Sequence, residues 1–516
     1  MNRSINVAEY LLAGKDPDRT ALECVSQDVS YGRLRRTCDA VAEYLQKIGA
    51  AKGDRIILIG GNSSFWVGSY LGMLNAGMMA VPLPPDISQG DLTEIRRDTG
   101  AQVLFLESAV AMRLGENLAG LTVVTDQSLP PLVGLKCQSP ISEVEAQWSG
   151  KEQEPAAVTP YSLAALMFTS GSTGRPRGVM VSHANIIANT DSIIEYIGLT
   201  SEDRMMTILP FHYCFGASLL HTHLRVGGTL IVEPRFAYPD VVVQRMSSAQ
   251  CTGFAGVPSH YQILLRRAGL RGTELPHLRH VQQAGGPLAP SFLRELRQAL
   301  PGTRIFVMYG QTEATARLAF LTPELLDTKM GSIGKAIPGV SLSVLNTSGE
   351  DVRPGEVGEI VAEGPNITLG YWGDAEETAR TFRERRLYTG DIATVDEDRF
   401  IFIVDRAKNF LKCGGRRIST RQIEDLMLEC EALREVAVIG IQDQILGEAV
   451  KAFLVPRDAE TPAFKEQFLQ HCRRQLPQEF VPKQIVILDA LPKSSTGKVL
   501  KQALTSVEGR LEAALA

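Results

Sequence analysis

The run 166–183, LMFTSGSTGRPRGVMVSH, holds the densest set of anion-binding groups in the chain. An apolar strand at 166–168 leads into Thr169, Ser170, Gly171, Ser172, Thr173 and Gly174. Hydroxyls and backbone N–H groups can converge on phosphate oxygens, because glycine lets an anion approach closely. Arg175 and Arg177 add positive charge. The pattern G-x-x-x-x-G-K-[ST] is absent, so this is no Walker A loop. Four further segments carry chemistry. In 307–314, VMYGQTEA, Tyr309 offers a flat face to a purine and Gly310 permits a tight turn. Thr312 and Glu313 supply oxygens there, Glu313 as a ligand for Mg²⁺ beside a triphosphate. Upstream, Gly285 and Gly286 leave room for a base against backbone. Tyr388-Thr389-Gly390-Asp391 sets a carboxylate after a tight turn, where it can accept from both hydroxyls of a ribose. The segment 404–419 crowds Asp405, Arg406, Lys408 and Lys412 ahead of Gly414-Gly415. A hinge between two lobes fits it, since a few residues can absorb a large backbone change. Lastly, 491–501, LPKSSTGKVLK, carries Lys498 in a C-terminal loop, where a lysine neutralises charge developing on oxygen. Taken singly, each segment also has a plainer reading, as a flexible turn, a strand end or a solvated charged loop.

The elements that position these segments follow from hydrophobic period. Leu34, Cys38, Val41, Leu45 and Ile48 form one apolar helical stripe. Strands are predicted at 56–59, 78–81 and 103–106, with a helix over 65–74. That alternation favours a parallel sheet covered on both faces. Later strands are predicted at 205–209, 229–232, 304–308 and 341–345, with a helix over 291–300. Residues 125–160, rich in Pro, Ser and Gly, read as a surface connection. Composition changes near residue 404: a helix at 423–433, strands at 436–441 and 452–455, and a helix at 464–476 suggest a separate α+β unit.

A chain of 516 residues holds about three to four units of structure. Its 53 basic and 58 acidic residues give a net charge of −5, which argues against a dedicated nucleic-acid binder. With 44% hydrophobic and 22% charged residues it is neither disordered, fibrous nor a disulfide scaffold. Eight cysteines without a C-x-x-C pair point to reduced thiols and a cytoplasmic setting. The first residues lack the apolar core of a signal peptide. Residues 59–85 carry no charge and are long enough to span a bilayer. Their Asn, Ser, Gly and Pro content favours a buried helix between two strands, so no transmembrane segment is expected.

In this order and spacing, the five segments resemble the adenylate-forming (AMP-binding) superfamily: acyl- and aryl-CoA ligases, stand-alone adenylation domains of nonribosomal peptide synthesis, and luciferase. Val29-Ser30-Tyr31, Gly53-Asp54-Arg55 and Ala76-Gly77 extend the resemblance toward the N-terminus. It implies an α/β fold: a large multi-sheet N-terminal domain with mostly parallel sheets, residues 1–404, and a small mobile α+β C-terminal domain, 405–516. It also implies roles. Thr169 to Gly174 would be the phosphate loop. Tyr309 would stack on adenine, with Gly285 and Gly286 beside it. Thr312 and Glu313 would meet the α-phosphate and Mg²⁺. Asp391 would hold the ribose, with Arg406 nearby. Lys408 would be the hinge, Lys498 the lysine of adenylation, and Gly414 and Gly415 the loop of the thiol channel.

The implied activity is an ATP-dependent acid–thiol ligase. A carboxylate is a poor electrophile; attack on the α-phosphorus of ATP converts it to a mixed anhydride and releases pyrophosphate. A thiol of CoA, or of a phosphopantetheinyl carrier protein, then displaces AMP. Such chemistry relies on positioning and charge neutralisation rather than a protein nucleophile. Two positions depart from the family pattern: Arg177 replaces a lysine, and Thr420 replaces a proline before Ile423-Glu424. The phrase Leu209-Pro210-Phe211-His212 resembles that of acyl- and aryl-CoA ligases. His212, Ala217, Val257 and Gly310 are the expected acid-pocket residues. An amino-acid-activating enzyme is the alternative, but no acidic residue lies between Pro210 and His223 to hold an α-ammonium. A non-catalytic nucleotide-binding protein is opposed by Glu313, Asp391 and Lys498 together. Light emission with oxygen would be the test for a luciferase-like oxygenase.

Overall fold

The computed structural model describes residues 6–170, 176–406, 410–413, 416–430, 432–443, 446–457, 464–493, 499–501 and 503–504; at 170, 405–406, 410, 412 and 416–417 the description is of the backbone.

Four sheets organise these residues. The first has seven strands in the order Cys137–Pro140, Thr122–Thr125, Val103–Leu106, Arg55–Ile59, Met79–Leu83, Leu163–Ser170, Pro176–Ser182. Every neighbouring pair is parallel except the last. The strands Arg55–Ile59 and Val103–Leu106 are buried along almost their whole length, as strands covered on both faces must be. The helix Ser64–Asn75 links Arg55–Ile59 to Met79–Leu83, and the Ser63 hydroxyl caps it by accepting from the Trp66 N–H. The uncharged stretch 59–85 is therefore a strand–helix–strand unit of the interior. Among the described residues no helix is long and apolar enough to cross a membrane.

The second sheet has nine strands: Lys335–Ala336, Ala319–Leu321, Arg304–Tyr309, His280–Gln283, Gly253–Gly256, Arg204–Thr207, Thr229–Val232, Thr20–Cys24, Asp28–Ser30. Its middle pairs are parallel and its edges antiparallel. One apolar core unites both sheets through Leu58 and Phe105, Leu230, Phe306 and Met308, together with the helices Tyr31–Lys47, Ser64–Asn75, His183–Ile197 and Cys214–Val226. A third sheet is antiparallel: Ser341–Leu345, Gly358–Glu363, Arg386–Val395 and Phe382–Arg383, with Ile401–Arg406 on the other side of Arg386–Val395. The fourth, Arg416–Ser419, Phe410–Cys413, Gly447–Pro456 and Leu433–Asp443, is joined by Gln484–Ile487 and flanked by the helices Thr420–Leu428 and Phe464–Gln475. It encloses its own core of Ile423, Met427, Val450, Leu454 and Phe468. A large α/β part with mostly parallel sheets and a smaller α+β part are both present.

Two expectations need correction, and two strands went unpredicted. Residues 125–160 are more than a connection: they contain the edge strand Cys137–Pro140 and the helix Ile141–Ala146. The strands Gly253–Gly256 and His280–Gln283 escape the hydrophobic pattern, because each is four residues long and carries glycine or polar side chains inward. Asp391 does not follow a free turn. It lies inside the strand Arg386–Val395, at an irregularity of register where Gly390 takes φ +73°.

Candidate active site

The strand Arg304–Tyr309 ends at the second sheet's carboxyl edge, where parallel α/β sheets bind ligands. A short turn follows. Gly310 is required there: a Cβ would stand 1.9 Å from the Ala316 carbonyl oxygen. Thr312–Ala314 forms one turn of 3₁₀ helix, and Thr315 closes it at φ +66°. That conformation is strained for a β-branched residue and persists only where surroundings enforce it. They do. The Thr315 hydroxyl donates to the Asn366 carbonyl at 2.7 Å. The Asn366 amide donates to the Ala314 and Arg317 carbonyls at 3.2 and 2.8 Å. Thr368 donates to the Glu313 carbonyl from its backbone N–H, at 3.0 Å, and its hydroxyl, at 2.9 Å.

Within this turn Thr312 is buried and its hydroxyl points to Cys214 Sγ at 3.5 Å. Glu313 is half-buried. Its Oε1 accepts from the Tyr371 hydroxyl at 2.8 Å. Burial first, then the Glu313 charge, raises the Tyr371 phenol's pKa, so it remains a donor. Tyr371 is a residue the sequence reading missed. It lies in no motif singled out there, and only the folded chain brings it to Glu313.

The third sheet supplies the opposite wall. The Tyr309 hydroxyl donates to Asp391 Oδ2 at 2.6 Å, both residues being buried. Two residues 82 positions apart are thus joined by one short charge-assisted bond. The bulge is held by Thr389, whose hydroxyl donates to the Ile360 carbonyl at 2.8 Å and accepts from the Asp391 N–H at 3.1 Å. Arg406 pairs with Asp391 across the neighbouring strand. Gly285 and Gly286 are exposed in the turn after His280–Gln283, where the Gln283 amide donates to the Gly286 carbonyl at 2.7 Å.

Thr169, the last residue but one of its strand, pairs with Arg177 near the loop end of a hairpin. Arg177 is not free to serve as a loose cation. Its Nη1 lies 2.8 Å from Glu377 Oε1, and its guanidinium stands 5.7 Å over the Tyr371 ring. Backbone bonds from Met180 to Gly370 and from Trp372 to Gly178 bind that hairpin to the Tyr371 segment. Arg177, Tyr371 and Glu313 therefore form one chain of contacts between the hairpin and the carboxylate. The loop residues Gly171, Ser172, Thr173 and Gly174 lie outside the described residues, as do Lys408, Gly414, Gly415 and Lys498. For Ser170 and Arg406 the backbone alone is described.

Next to Thr312 a narrow cavity of about 20 Å³ begins. Cys214, Ala217, Ser218 and His221 line it from one face of the helix Cys214–Val226, with Asn189, Thr190, Thr315 and Ala316 opposite. His221 Nε2 and the Tyr70 hydroxyl are 3.0 Å apart, and burial lowers the histidine to about 3, so it is neutral. Of the expected acid-pocket residues only Ala217 lines this cavity; His212 and Val257 are buried outside it, and Gly310 is not part of its lining. Both ring nitrogens of His212 lack a hydrogen-bond partner among the described residues, and burial lowers its pKa to about 4. Asn62 fixes the segment before it, donating to the Leu209 carbonyl and accepting from the Phe211 N–H, each at 2.8 Å.

A family model for AMP-binding enzymes matches residues 12–372, and one for the AMP-binding enzyme C-terminal domain matches 422–498. The chain is 32% identical to a feruloyl-CoA synthase of Amycolatopsis, over 95% of this chain and 96% of that one. It is 29% identical to a long-chain-fatty-acid–CoA ligase of Salmonella typhimurium, over 94% and 91%. Among solved structures, ATP-bound MatB from Rhodopseudomonas palustris superposes with a TM-score of 0.87 at 27% identity, covering 98% of this chain and 99% of that one. With the Tyr309–Asp391 pair and the Thr312-Glu313 turn at the sheet edge, these matches place the chain in the AMP-binding enzyme family, as an AMP-forming acid–thiol ligase of the acyl-CoA synthetase kind.

Proposed function

We propose that this enzyme adenylates its acid in the space bounded by the paired strand residues Thr169 and Arg177, the Thr312-Glu313 turn and the Tyr309–Asp391 pair, and passes the acyl group to CoA. The observation that carries the reading is the 2.6 Å bond between Tyr309 and Asp391. It ties an aromatic face to a carboxylate acceptor, the pair of groups a nucleoside needs for base and ribose. Asp391 accepts from ribose hydroxyls; Tyr309 flanks the base. The Thr312 hydroxyl faces the phosphates, and Thr169 to Gly174 keep the phosphate-loop role the resemblance implies.

Glu313 fits a divalent cation. Oε1 is held by Tyr371, and Oε2 takes no hydrogen bond among the described residues. No cluster of three or more His, Cys, Asp or Glu there would hold a metal by itself. That matches Mg²⁺, which is typically held by one or two carboxylates together with substrate phosphates. When bound, it would neutralise phosphate charge. The acid's carboxylate would approach by way of Thr312 and Cys214, with its tail toward Ala217 and Ser218; Gly310 shapes the turn behind it.

The sequence places Lys408 between the last strand of the third sheet, Ile401–Arg406, and the first of the fourth, Phe410–Cys413. That position supports a hinge between a large domain, 1–404, and a small one from 405. Lys498, Gly414 and Gly415 keep the roles the resemblance implies. CoA is the acceptor favoured by the relatives; a carrier protein's phosphopantetheine offers the same thiol. The deciding experiment is pyrophosphate release over a panel of acids, repeated with CoA and with holo-carrier proteins. Acid-dependent release, with thioester formed on CoA, is expected. Release that depends on amino acids, with thioester on the carrier alone, would replace this reading with the amino-acid-activating one.

A further inference from the structure

The cavity beside Thr312 has two unlike ends. Cys214 lines the end at which its Sγ lies 3.5 Å from the Thr312 hydroxyl, the end assigned above to the reacting carboxylate. His221 lines the cavity two turns farther along the same helix, about 10.5 Å away at 1.5 Å per residue. Ala217 and Ser218 line it between them. Against His221 stands Tyr70, from the helix Ser64–Asn75. The Tyr70 hydroxyl is 3.0 Å from His221 Nε2, and the two stacked rings have their centroids 5.8 Å apart. This pair therefore forms the floor of the cavity, remote from Thr312.

The floor is polar and uncharged. Burial keeps His221 neutral and the Tyr70 phenol protonated. No Asp, Glu, Lys or Arg lines the cavity among the described residues, so a terminal ammonium or carboxylate would find no counter-charge there. Neither Tyr70 nor His221 makes a second hydrogen bond among the described residues. One proton lies between Nε2 and the phenol oxygen, whichever tautomer the imidazole takes. If the phenol donates, Nδ1–H is left as a donor and the phenol oxygen as an acceptor. If Nε2–H donates, the phenol O–H is left as the donor and Nδ1 as the acceptor. In both cases the pair keeps one donor and one acceptor open, which is the complement of a hydroxyl group. Nδ1 is unpartnered without being sealed, so it borders the cavity's own space. On the opposite wall the Thr190 hydroxyl, on a residue 2% exposed, also has no partner among the described residues. A cavity of about 20 Å³ has room for a water to meet these groups. An acid with an apolar far end would displace such a water and leave them unmet, whereas a hydroxyl reproduces its hydrogen bonds.

We propose that Tyr70 and His221 determine acid specificity by receiving a neutral hydroxyl at the far end of the substrate. The enzyme's acids are then short hydroxy acids that reach from Thr312 to this floor. This deepens the acid–thiol ligase reading and rests on it. The test is pyrophosphate release by the full chain on matched pairs of different length: 4-hydroxybenzoate against benzoate, 4-hydroxycinnamate against cinnamate, and 8-hydroxyoctanoate against octanoate. The wild type should favour the hydroxylated member of at least one pair by about tenfold or more in kcat/KM, the scale of one buried polar group left unmet. Tyr70→Phe, which removes a single oxygen, and His221→Phe should each shrink that ratio by about fivefold or more, chiefly through KM for the hydroxy acid, with KM for ATP held within about twofold. Should His221→Phe fail to fold, Tyr70→Phe decides alone. A wild type that shows the preference in no pair overturns the proposal, as does a Tyr70→Phe variant that lowers both members of a pair equally; the ligase reading stands as long as some acid drives release. Release that needs no acid overturns both.

Discussion

Replacing Tyr309 by Phe keeps the ring that would flank adenine and removes only the hydroxyl that donates to Asp391 Oδ2 at 2.6 Å. Both residues are more than nine-tenths buried, so water does not readily restore the lost bond. A hydrogen bond to a charged group contributes about 1.5–3 kcal/mol. At about 1.4 kcal/mol per factor of ten, that corresponds to about 10- to 150-fold. If Asp391 holds the ribose, the loss falls on ATP. KM for ATP should rise within that range, while KM for the acid stays within about twofold. Steady-state pyrophosphate release, with ATP and acid varied separately, measures both. A variant whose KM for ATP is unchanged or lower, or whose defect lies entirely in KM for the acid, would refute the pairing of this bond with nucleotide binding.

Other perturbations reach the remaining links. Tyr371→Phe frees Glu313 Oε1 of a 2.8 Å bond at a half-buried site, so the Mg²⁺ concentration for half-maximal rate should rise about tenfold, the lower end of such bonds; an unchanged Mg²⁺ dependence would separate Tyr371 from Glu313. Gly310→Ala forces a methyl to within 1.9 Å of a backbone oxygen, costing about 1–3 kcal/mol, and should lower the melting temperature and the rate together; wild-type thermal stability would contradict the geometry. Lys498→Ala should abolish acid-dependent pyrophosphate release while sparing thioester formation from supplied acyl-adenylate, and Lys408→Pro should do the reverse; equal loss of both halves in either variant removes that assignment. The buried histidines set a pH dependence. His183, His212 and His260 are lowered by burial from 6.5 to about 4. The unfolded chain therefore binds more protons between these values, and stability rises with pH across that window. It is fully present above pH 6.5 and lost as pH falls through 4. Thermal melts that stay flat from pH 7 to 4.5 would contradict neutral, buried imidazoles.

The fold was most legible where burial leaves a pattern. Strands 103–106, 229–232 and 341–345 match their predicted bounds, because apolar runs closed by turns have one reading. The uncharged stretch 59–85 was resolved correctly from its glycines and asparagines. Gly253–Gly256 and His280–Gln283 were not, since their inward His280, Gln282 and Gln283 look polar in sequence and become buried only inside the sheet. At the site, Tyr309, Thr312, Glu313 and Asp391 were found through motifs, and the structure joins Tyr309 to Asp391. Local pattern could not show that Arg177 is engaged by Glu377 and Tyr371, because those partners lie about 200 residues away. Tyr70 and His221, 151 positions apart, were missed for the same reason.

The central claim is that an acid becomes reactive by attacking the α-phosphorus of ATP. Incubation of the enzyme with ATP, CoA, Mg²⁺ and a substrate acid labelled with ¹⁸O in its carboxylate, followed by mass analysis of the nucleotide, tests it most directly. AMP carrying one atom of the label is the expected product. Label appearing in inorganic phosphate beside ADP, or AMP without label, would contradict it.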